Sequence, residues 1–283
     1  MHCTAPRTPV RVVQSRTRQR ACGAATQQHE QATSALEALR HKYKEDGWFS
    51  VPGVLSDTEL RELHNAVDTC EREAAGLTQS ASLRGVYFEV QSASGRKKEA
   101  AVVPGCLRKI TGPSKRHAAF ASLRTNGRIL ALAEGVCAVS RPVAVVDQAN
   151  CKAAELGTGF PWHQDSSFLF GDARRNLVLF GGVNCVIALD ASDAGNGGFE
   201  VLSGTHVGGF VDLHGIYDTA VDVDLPTDRY DVSRRTLPHL LPGDAIFFHP
   251  HLAHGSGANR SSRRRRLATL WFVGSGPTPS DGP

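Results

Sequence analysis

The sequence predicts an α+β fold, in which helices come first and a sandwich or roll of short strands follows. Two observations lead to this prediction. Up to about residue 140, apolar residues recur mostly at the spacing of helix faces, whereas from Val143 onward short strand-like runs alternate with turns. Helical and strand segments that are separated along the chain in this way are typical of α+β proteins. No internal repeat is visible in the sequence.

The first predicted helix extends from about Gln31 to Glu45. Leu36, Leu39 and Tyr43 lie at positions i, i+3 and i+7, so they share one face of this helix. The Asp-Gly pair at 46–47 is expected to end it, because glycine readily adopts the conformations that stop a helix.

A short strand and a turn over residues 48–55 lead into the second predicted helix. Ser56 and Glu59 have the spacing of a capping box, in which each side chain accepts a hydrogen bond from the backbone N–H of the other residue. The helix is expected to end before Gly76. Its apolar positions are Leu60, Leu63, Val67 and Cys70.

The remaining elements follow from shorter patterns. Residues 77–105 contain a strand-like run at Val86–Val90 and are predicted to form a hairpin or a mobile flap, and residues 117–140 are predicted to form one helix. The irregular, polar stretch 207–238 is expected to act as a lid, because long loops between strands are often functional. The predicted strands are 143–151, 160–168, 177–189, 199–202, 244–249 and 266–273.

Composition and charge are those of an ordinary globular chain. Of 283 residues, 41% are hydrophobic and 21% are charged, and the net charge is +4. Such a mild charge gives no indication of nucleic-acid binding, and no apolar run approaches the ~20 residues that a membrane span needs. We expect one domain over residues 31–275, followed by a flexible tail over residues 276–283.

Seven cysteines are scattered singly along the chain, without a Cys-x-x-Cys pair. An odd number at such spacings argues against a disulfide framework and against a zinc-ribbon site. We therefore expect an intracellular protein in which most thiols are small core residues.

The first 30 residues differ in composition from the rest of the chain. From Met1 to His29 there is no acidic residue, and Ser, Thr, Ala and Gln separate the basic ones. An acid-poor, arginine-rich leader is typical of a mitochondrial or plastid transit peptide, and equally of a disordered tail on a cytoplasmic protein. The arginines of this segment are Arg7, Arg11, Arg16, Arg18 and Arg20.

A His-x-Asp pair, His163 and Asp165, is the strongest indication of chemistry. On a strand, positions i and i+2 point to the same face, so both side chains can bind one metal while Gln164 points away. Two imidazoles and one carboxylate form the facial triad that holds non-haem Fe(II) and leaves positions open for a co-substrate and O₂. The second histidine must come from a later strand. Spacing alone leaves four candidates, which are His206, His249, His251 and His254.

Three segments strengthen this interpretation. They run from Pro161 to Phe170, from Asn196 to His206 and from Gly243 to Asn259. Together they resemble the phytanoyl-CoA dioxygenase family of Fe(II)- and 2-oxoglutarate-dependent oxygenases, and the resemblance extends from about Leu36 to about Val273. It implies that the strands form a double-stranded β-helix, or jelly roll, backed by the N-terminal helices.

The same resemblance implies roles for individual residues. The family motif His-Gly-Ser-x-x-Asn is matched from His254 to Asn259, which makes His254 the third metal ligand and Fe(II) the metal. In the family, the arginine that binds the far carboxylate of 2-oxoglutarate follows this histidine by eleven positions, which corresponds to Arg265. Further positions that approach the co-substrate or substrate in the family correspond to Lys109, Gln148, Asn150 and Ser256.

Alternation along the strand that contains Arg265 then predicts which of four consecutive arginines faces the site. Residues of the same parity are expected to point into the barrel, and these are Arg265, Leu267, Thr269 and Trp271. Arg264 and Arg266 are expected to point outward, so the basic run is mostly a solvated face with one inward arginine.

The implied reaction is hydroxylation of a small organic or acyl substrate, with 2-oxoglutarate and O₂ as co-substrates and succinate and CO₂ as co-products. The alternatives are a non-catalytic metal-binding jelly roll with a regulatory or binding role, and another metal-dependent enzyme that uses the same ligands. The sequence leaves the substrate and the oligomeric state open. The aromatic residue that the family often has on the strand after the ligand pair corresponds to Val186 or falls near Phe180, which is one departure that affects the substrate side.

Overall fold

The computed structural model describes residues 31, 33–92, 102–211 and 230–276. The expected leader, the tail beyond residue 276 and the middle of the predicted flap and lid lie outside these described residues. The helices are 33–46 (α1), Asp57–Ala74 (α2), Ala118–Leu123 (α3), Gly127–Gly135 (α4) and Gly171–Phe180 (α5). The strands are Trp48–Val51 (β1), Ala81–Leu83 (β2), Val86–Ser92 (β3), Val102–Thr111 (β4), Val143–Lys152 (β5), Phe160–His163 (β6), Gly182–Ala188 (β7), Phe199–Val201 (β8), Ala245–Phe248 (β9), His254–Ser256 (β10) and Arg265–Val273 (β11).

These strands form two antiparallel sheets. The larger sheet has eight strands in the order β1-β9-β7-β11-β5-β4-β3-β2, and the smaller sheet has the order β6-β10-β8. Apolar side chains from both sheets pack together, for example Val186 and Phe248 of the large sheet with Phe199 and Val201 of the small one. The α+β prediction and the jelly roll that the resemblance implied are confirmed.

The helices cover the opposite face of the large sheet. Strand β11 shows how the two faces divide, because its even-numbered residues Ala268, Leu270 and Phe272 belong to the core beneath the helices. Leu63 and Val67 of α2 belong to the same core, and both are almost fully buried. Alternate residues of the central strands therefore face either the helices or the space between the sheets.

The capping box at the start of α2 is present as predicted. The Ser56 backbone N–H donates to Glu59 Oε2 at 2.8 Å, and the Glu59 backbone N–H donates to Ser56 Oγ at 3.4 Å. The helix ends at Ala74, before Gly76, and its face carrying Leu63, Val67 and Cys70 is buried. A local signal of this kind needs no distant partner, so it can be identified from sequence alone.

The single helix predicted over 117–140 is wrong, because the structure contains two short helices there. Asn126 lies between them, and its side chain accepts hydrogen bonds from the backbone N–H groups of Arg128 and Ile129. This N-cap starts a new helix, α4, although the apolar spacing continues across the break.

Two of the predicted strands also need correction. Residues 177–180 are the last turn of α5, which begins at Gly171, and are not part of a strand. Strand β6 stops at His163, and Asp165–Phe168 form a 3₁₀ turn. Strands β2 and β10, and most of β4, were not predicted. The hairpin expected within 77–105 is confirmed by the antiparallel pairing of β2 with β3.

Within the described residues, Cys70, Cys137, Cys151 and Cys185 are buried and Cys106 is half-buried, and all five are free thiols. This agrees with their expected role as core residues. Among the helices in the same part of the chain, none is both long and apolar enough to cross a bilayer.

Candidate metal centre and co-substrate pocket

His163, Asp165 and His254 converge at the edge of the small sheet. His163 is the last residue of β6 and His254 is the first of β10, and the two are paired across the sheet. Their Nε2 atoms lie 3.3 Å and 3.5 Å from Asp165 Oδ1. One ligand atom of each residue lies within 4.8 Å of the other two, and no second group of at least three such residues occurs in the described segments.

His163 and Asp165 do approach each other, but the expectation that they share one face of a strand was wrong. Asp165 lies beyond the end of β6, in the 3₁₀ turn, and reaches the centre because the chain turns there. Gln164 does point away from the centre, as expected. Its amide Nε2 donates to the carbonyls of His251 and Gly209, at 2.6 Å and 3.0 Å.

The protonation of both imidazoles follows from their backbone contacts. His163 Nδ1 lies 2.7 Å from the Pro161 carbonyl, and His254 Nδ1 lies 2.9 Å from the Leu252 carbonyl. A carbonyl only accepts hydrogen bonds, so each Nδ1 carries the proton and each Nε2 presents a lone pair to Asp165. Two lone pairs and a carboxylate oxygen that face one another repel unless a cation lies between them. The two nitrogens and one oxygen therefore fit a divalent metal such as Fe(II).

Electrostatics favour the ligand forms of these side chains. Burial opposes ionisation of Asp165, but a proton on Nε2 of His254 or His163 would outweigh it and lower the pKa of this carboxyl. With both Nε2 atoms unprotonated, a metal cation between the three side chains would act in the same direction. Burial, followed by the neighbouring His254, lowers the pKa of His163. At neutral pH the carboxylate is thus ionised and the His163 ring is uncharged, which are the forms that bind metal.

Asn184 is a further residue of this centre, and sequence reasoning missed it. Its Nδ2 donates to Asp165 Oδ2 at 2.6 Å, and both side chains are buried. The missed signal was a polar residue at an inward position of β7, a strand that is otherwise apolar or small (Gly-Val-Asn-Cys-Val-Ile-Ala). A buried amide needs a partner, so an asparagine in such a run indicates a specific contact.

A cavity of about 290 Å³ opens beside His163, Asp165 and His254, between the two sheets. The pairing of β4, β5 and β11 arranges its floor in rows. Thr111, Gln148 and Thr269 form one row across these three strands, and Lys109, Asn150 and Leu267 form the next row inward. All of these side chains line the cavity, as does Val186 on β7.

Arg265 lies at the inner end of the cavity and is 1% exposed. One Nη atom donates to the Gly197 carbonyl at 2.9 Å, whereas Nε has no hydrogen-bond partner among the described residues. Burial lowers the pKa of Arg265 to about 10, so the guanidinium remains charged at neutral pH. A buried cation with an unused donor is suited to bind a carboxylate.

Lys152 lies behind this arginine and was not predicted. Its side chain is 1% exposed. Its Nζ donates to Ser256 Oγ at 2.7 Å, to the Gly197 carbonyl at 3.1 Å and to the Gly257 carbonyl. Burial, followed by the nearby charges of Arg265 and Arg108, lowers the pKa of Lys152. Three acceptor atoms nevertheless require three N–H donors, so these contacts are those of the ammonium form. Because Ser256 Oγ accepts from Lys152, its own hydroxyl proton is free to point into the cavity.

The other arginines of the basic run divide differently from the prediction. Arg264 is exposed and lies near Asp68 and Glu71 of α2, as a solvated residue should. Arg266 does point away from the cavity, but the expectation that it is solvated was wrong, because it is 1% exposed. Its guanidinium donates to Asp190 at 2.8 Å and to Asp68 at 2.6 Å beneath α2.

The remaining expected contacts all line the cavity. Lys109 Nζ lies 3.3 Å from Glu89 Oε2, and Asn150 Nδ2 donates to Thr269 Oγ1 at 2.9 Å. Gln148, in the row with Thr111 and Thr269, also lines the cavity.

The other candidate histidines lie apart from the metal ligands. The rings of His206 and His251 are 5.4 Å and 4.9 Å from that of His249. This cluster packs against α1 through Tyr43, and none of the three belongs to the ligand group. The structure thus brings His254, and not its neighbours, to His163 and Asp165.

Comparison with known proteins identifies a family for this chain. The sequence model of the family described as phytanoyl-CoA dioxygenase matches residues 43–267. L-Proline trans-4-hydroxylase from Streptomyces griseoviridis is 26% identical over 251 residues, which cover 82% of this chain and 84% of the relative. Peroxisomal phytanoyl-CoA dioxygenase from Rattus norvegicus is 34% identical over 126 residues, which cover 40% of this chain and 32% of the relative. The chain therefore spans most of the proline hydroxylase but only about a third of the rat protein.

Solved structures show the same fold. The epimerase SnoN from nogalamycin biosynthesis, in complex with Fe³⁺, alpha-ketoglutarate and nogalamycin RO, has a TM-score of 0.65 at 20% identity, and the match covers 89% of this chain and 93% of that one. EctD from S. alaskensis, with 2-oxoglutarate and 5-hydroxyectoine, has a TM-score of 0.62 at 18% identity, covering 83% of this chain and 74% of that one.

Proposed function

The chain belongs to the phytanoyl-CoA dioxygenase family, and from this premise we propose that it is an Fe(II)- and 2-oxoglutarate-dependent dioxygenase that hydroxylates a small organic substrate. One observation carries the proposal. Asp165 and the unprotonated Nε2 atoms of His163 and His254 face one another beside a cavity, and the far end of that cavity holds the buried guanidinium of Arg265. A metal site at one end and a carboxylate site at the other fit a 2-oxo dicarboxylic acid.

The three ligands would hold Fe(II). The Nδ1 contacts of His163 and His254 with backbone carbonyls keep the two rings oriented before metal binds. When bound, Fe(II) supplies the oxidative chemistry with 2-oxoglutarate and O₂ that a protein side chain cannot perform. The contribution of the chain is to bind, to orient and to exclude water.

The inner end of the cavity would bind the far carboxylate of 2-oxoglutarate. Arg265 offers its unused Nε–H and a full positive charge, and Ser256 offers its hydroxyl proton because Lys152 already donates to its oxygen. A carboxylate that accepts from a guanidinium and a hydroxyl in a buried site is bound by charged hydrogen bonds, which are stronger than neutral ones.

The rest of the cavity indicates a small substrate. A volume of about 290 Å³ is near the lower end for ligand pockets, and part of it must hold the co-substrate. Its outer wall combines the apolar Val146, Phe168 and Trp271 with the polar Thr111 and Gln148. The long match to a hydroxylase of L-proline, compared with the partial match to phytanoyl-CoA dioxygenases, favours a free small molecule such as an amino acid over an acyl-CoA.

The test is substrate-dependent turnover of 2-oxoglutarate. Anaerobic protein would be loaded with Fe(II) and 2-oxoglutarate, mixed with O₂ and a panel of free amino acids, other small metabolites and acyl-CoAs, and assayed for succinate and for a product heavier by one oxygen atom. We expect substrate-stimulated succinate release, which the Asp165→Ala variant should lack. Asp165→Ala would be checked for folding by circular dichroism, since Asp165 is buried.

The alternative of a non-catalytic metal-binding jelly roll predicts another outcome. In that case the Fe(II)-loaded protein would bind no 2-oxoglutarate, and O₂ consumption would not rise with any member of the panel. A metal-dependent enzyme of a different type would turn over its substrate equally well without 2-oxoglutarate. The retained Arg265, buried beside a cavity and without an ionic partner among the described residues, argues against both alternatives.

A further inference from the structure

The two carboxylate oxygens of Asp165 have separate partners. Oδ1 faces the two imidazole nitrogens, at 3.3 Å and 3.5 Å. Oδ2 accepts a hydrogen bond from Asn184 Nδ2 at 2.6 Å. Asn184 is 1% exposed and Asp165 is 4% exposed, so water cannot readily replace this contact. The carboxylate is therefore divided between a metal-facing oxygen and a protein-bound oxygen.

Asp165 needs such a contact because its own backbone does not fix its side chain within a sheet. It lies in a 3₁₀ turn after the end of β6. Asn184, in contrast, lies in the middle of the large sheet, where it is paired with Trp271 on one side and Phe248 on the other. Asn184, in the large sheet, thus holds Asp165, which lies in the turn that follows β6 of the small sheet.

The chemistry requires an amide at this position. An asparagine can donate to an ionised carboxylate, whereas an aspartate or an aliphatic residue of similar size cannot. The inward positions of β7 around it are Val186 and Ala188, which offer no hydrogen bond. Asn184 is therefore the one polar side chain that this strand directs at the ligand group.

We propose that Asn184 is a positioning residue that restricts Asp165 to binding metal through a single oxygen. With Oδ2 held by the amide, only Oδ1 can enter the coordination sphere, and one more position stays open for the co-substrate or O₂ than a two-oxygen carboxylate would leave. This inference rests on the proposed metal centre. It adds that Asn184 of the large sheet, and not the three ligands alone, determines how many coordination positions of the metal stay open.

The first experiment measures metal binding without substrate. Co(II) serves as a spectroscopic replacement for Fe(II), and its affinity and visible absorption would be measured for the wild-type protein, Asn184→Leu and Asn184→Ala. Loss of an outer-sphere partner typically weakens metal binding about 10- to 100-fold, and we expect a loss of that size. We also expect weaker visible bands, because a released carboxylate that binds through both oxygens raises the coordination number.

The matched control is Cys185→Ala, on the same strand. Cys185 is buried but points into the core beneath the helices, away from the metal ligands. Its truncation should lower thermal stability while leaving the Co(II) affinity and spectrum unchanged. Equal losses of affinity in Cys185→Ala and the Asn184 variants would mean that strand packing is responsible, and the inference would be wrong.

A second measurement uses only the wild-type chain, so it does not depend on how the variants fold. In a crystal structure of the Co(II)-loaded protein, we expect one Asp165 oxygen on the metal and the other still bound to Asn184. Ligation through both oxygens would overturn the inference, as would wild-type Co(II) affinity and an unchanged spectrum in folded Asn184 variants. Absence of any Co(II) binding by the wild-type protein would instead contradict the metal centre itself.

Discussion

Arg265 gives the sharpest test of how the cavity binds its co-substrate. The guanidinium is buried, and its Nε has no partner among the described residues. If the far carboxylate of 2-oxoglutarate binds there, Arg265→Ala removes a charged hydrogen bond and leaves the ligand charge buried without a counter-ion. A charged hydrogen bond contributes roughly 1.5–3 kcal/mol, and stranding the remaining charge costs more. We therefore expect the affinity for 2-oxoglutarate to fall roughly tenfold to several-hundredfold.

The structure also decides which neighbour is the right control. Arg264→Ala is suitable, because the Arg264 side chain is 51% exposed and its ion pairs with Asp68 and Glu71 are long and solvated. Its removal should change 2-oxoglutarate affinity little. Arg266→Ala is unsuitable although the residue points away from the cavity. It would remove the buried partner of Asp190 and Asp68 and so lower the stability of the fold, which would obscure any effect on binding.

The assay is a 2-oxoglutarate titration of the anaerobic Fe(II) protein, followed by the metal-to-ligand absorption band and repeated by calorimetry. Arg265→Lys should recover only part of the affinity, because an ammonium group cannot reproduce two parallel N–H donors. Wild-type affinity for 2-oxoglutarate in folded Arg265→Ala would refute this role of Arg265. An equal loss of affinity in Arg264→Ala would also refute it, since the alternation of β11 would then be misassigned.

Three further predictions concern other parts of the site. His254→Ala should abolish Co(II) binding measured by calorimetry, whereas His251→Ala should retain it. The reverse result would identify His251 as the third ligand. Lys152→Met should weaken 2-oxoglutarate binding through its contact with Ser256, so adding it to Ser256→Ala should produce little further loss; additive losses would show that Lys152 acts independently. Burial and the adjacent rings of His251 and His206 lower the pKa of His249 to about 3, so the folded state rejects a proton that the unfolded chain binds below about pH 6.5. The stability that results is present above pH 6.5 and lost as the pH falls toward 3, and urea unfolding of His249→Gln should show a smaller loss over this range than the wild-type protein does.

Much of this protein follows from local sequence patterns. Ser56 and Glu59 mark the start of α2 because a capping box involves only four consecutive residues. Strand alternation places Leu267, Thr269 and Trp271 in the cavity because side chains of a strand alternate with a period of two. The residue types of the His-x-Asp pair indicate metal chemistry for a similar reason, since ligand preference is a property of the side chains themselves.

Other features depend on residues that are distant in the chain, and no local pattern contains them. The cap that Asn126 forms on α4 is local, but its amide is also held by a distant residue, because Nδ2 donates to Glu59 Oε1 at 2.8 Å. Arg266 has the outward parity of a solvated residue, yet it is buried because α2 packs over it and supplies Asp68.

The metal centre itself combines both kinds of information. The sequence indicates the ligand types, and the resemblance to the family implies Arg265 as the partner of a carboxylate. Only the tertiary structure shows that β6 ends before Asp165, that Asn184 from the other sheet holds this ligand, and that Lys152 supports Ser256 across 104 positions of the chain. The physical reason is that hydrogen bonds between buried polar groups are satisfied in space, so their partners are determined by how the two sheets pack and not by nearby sequence.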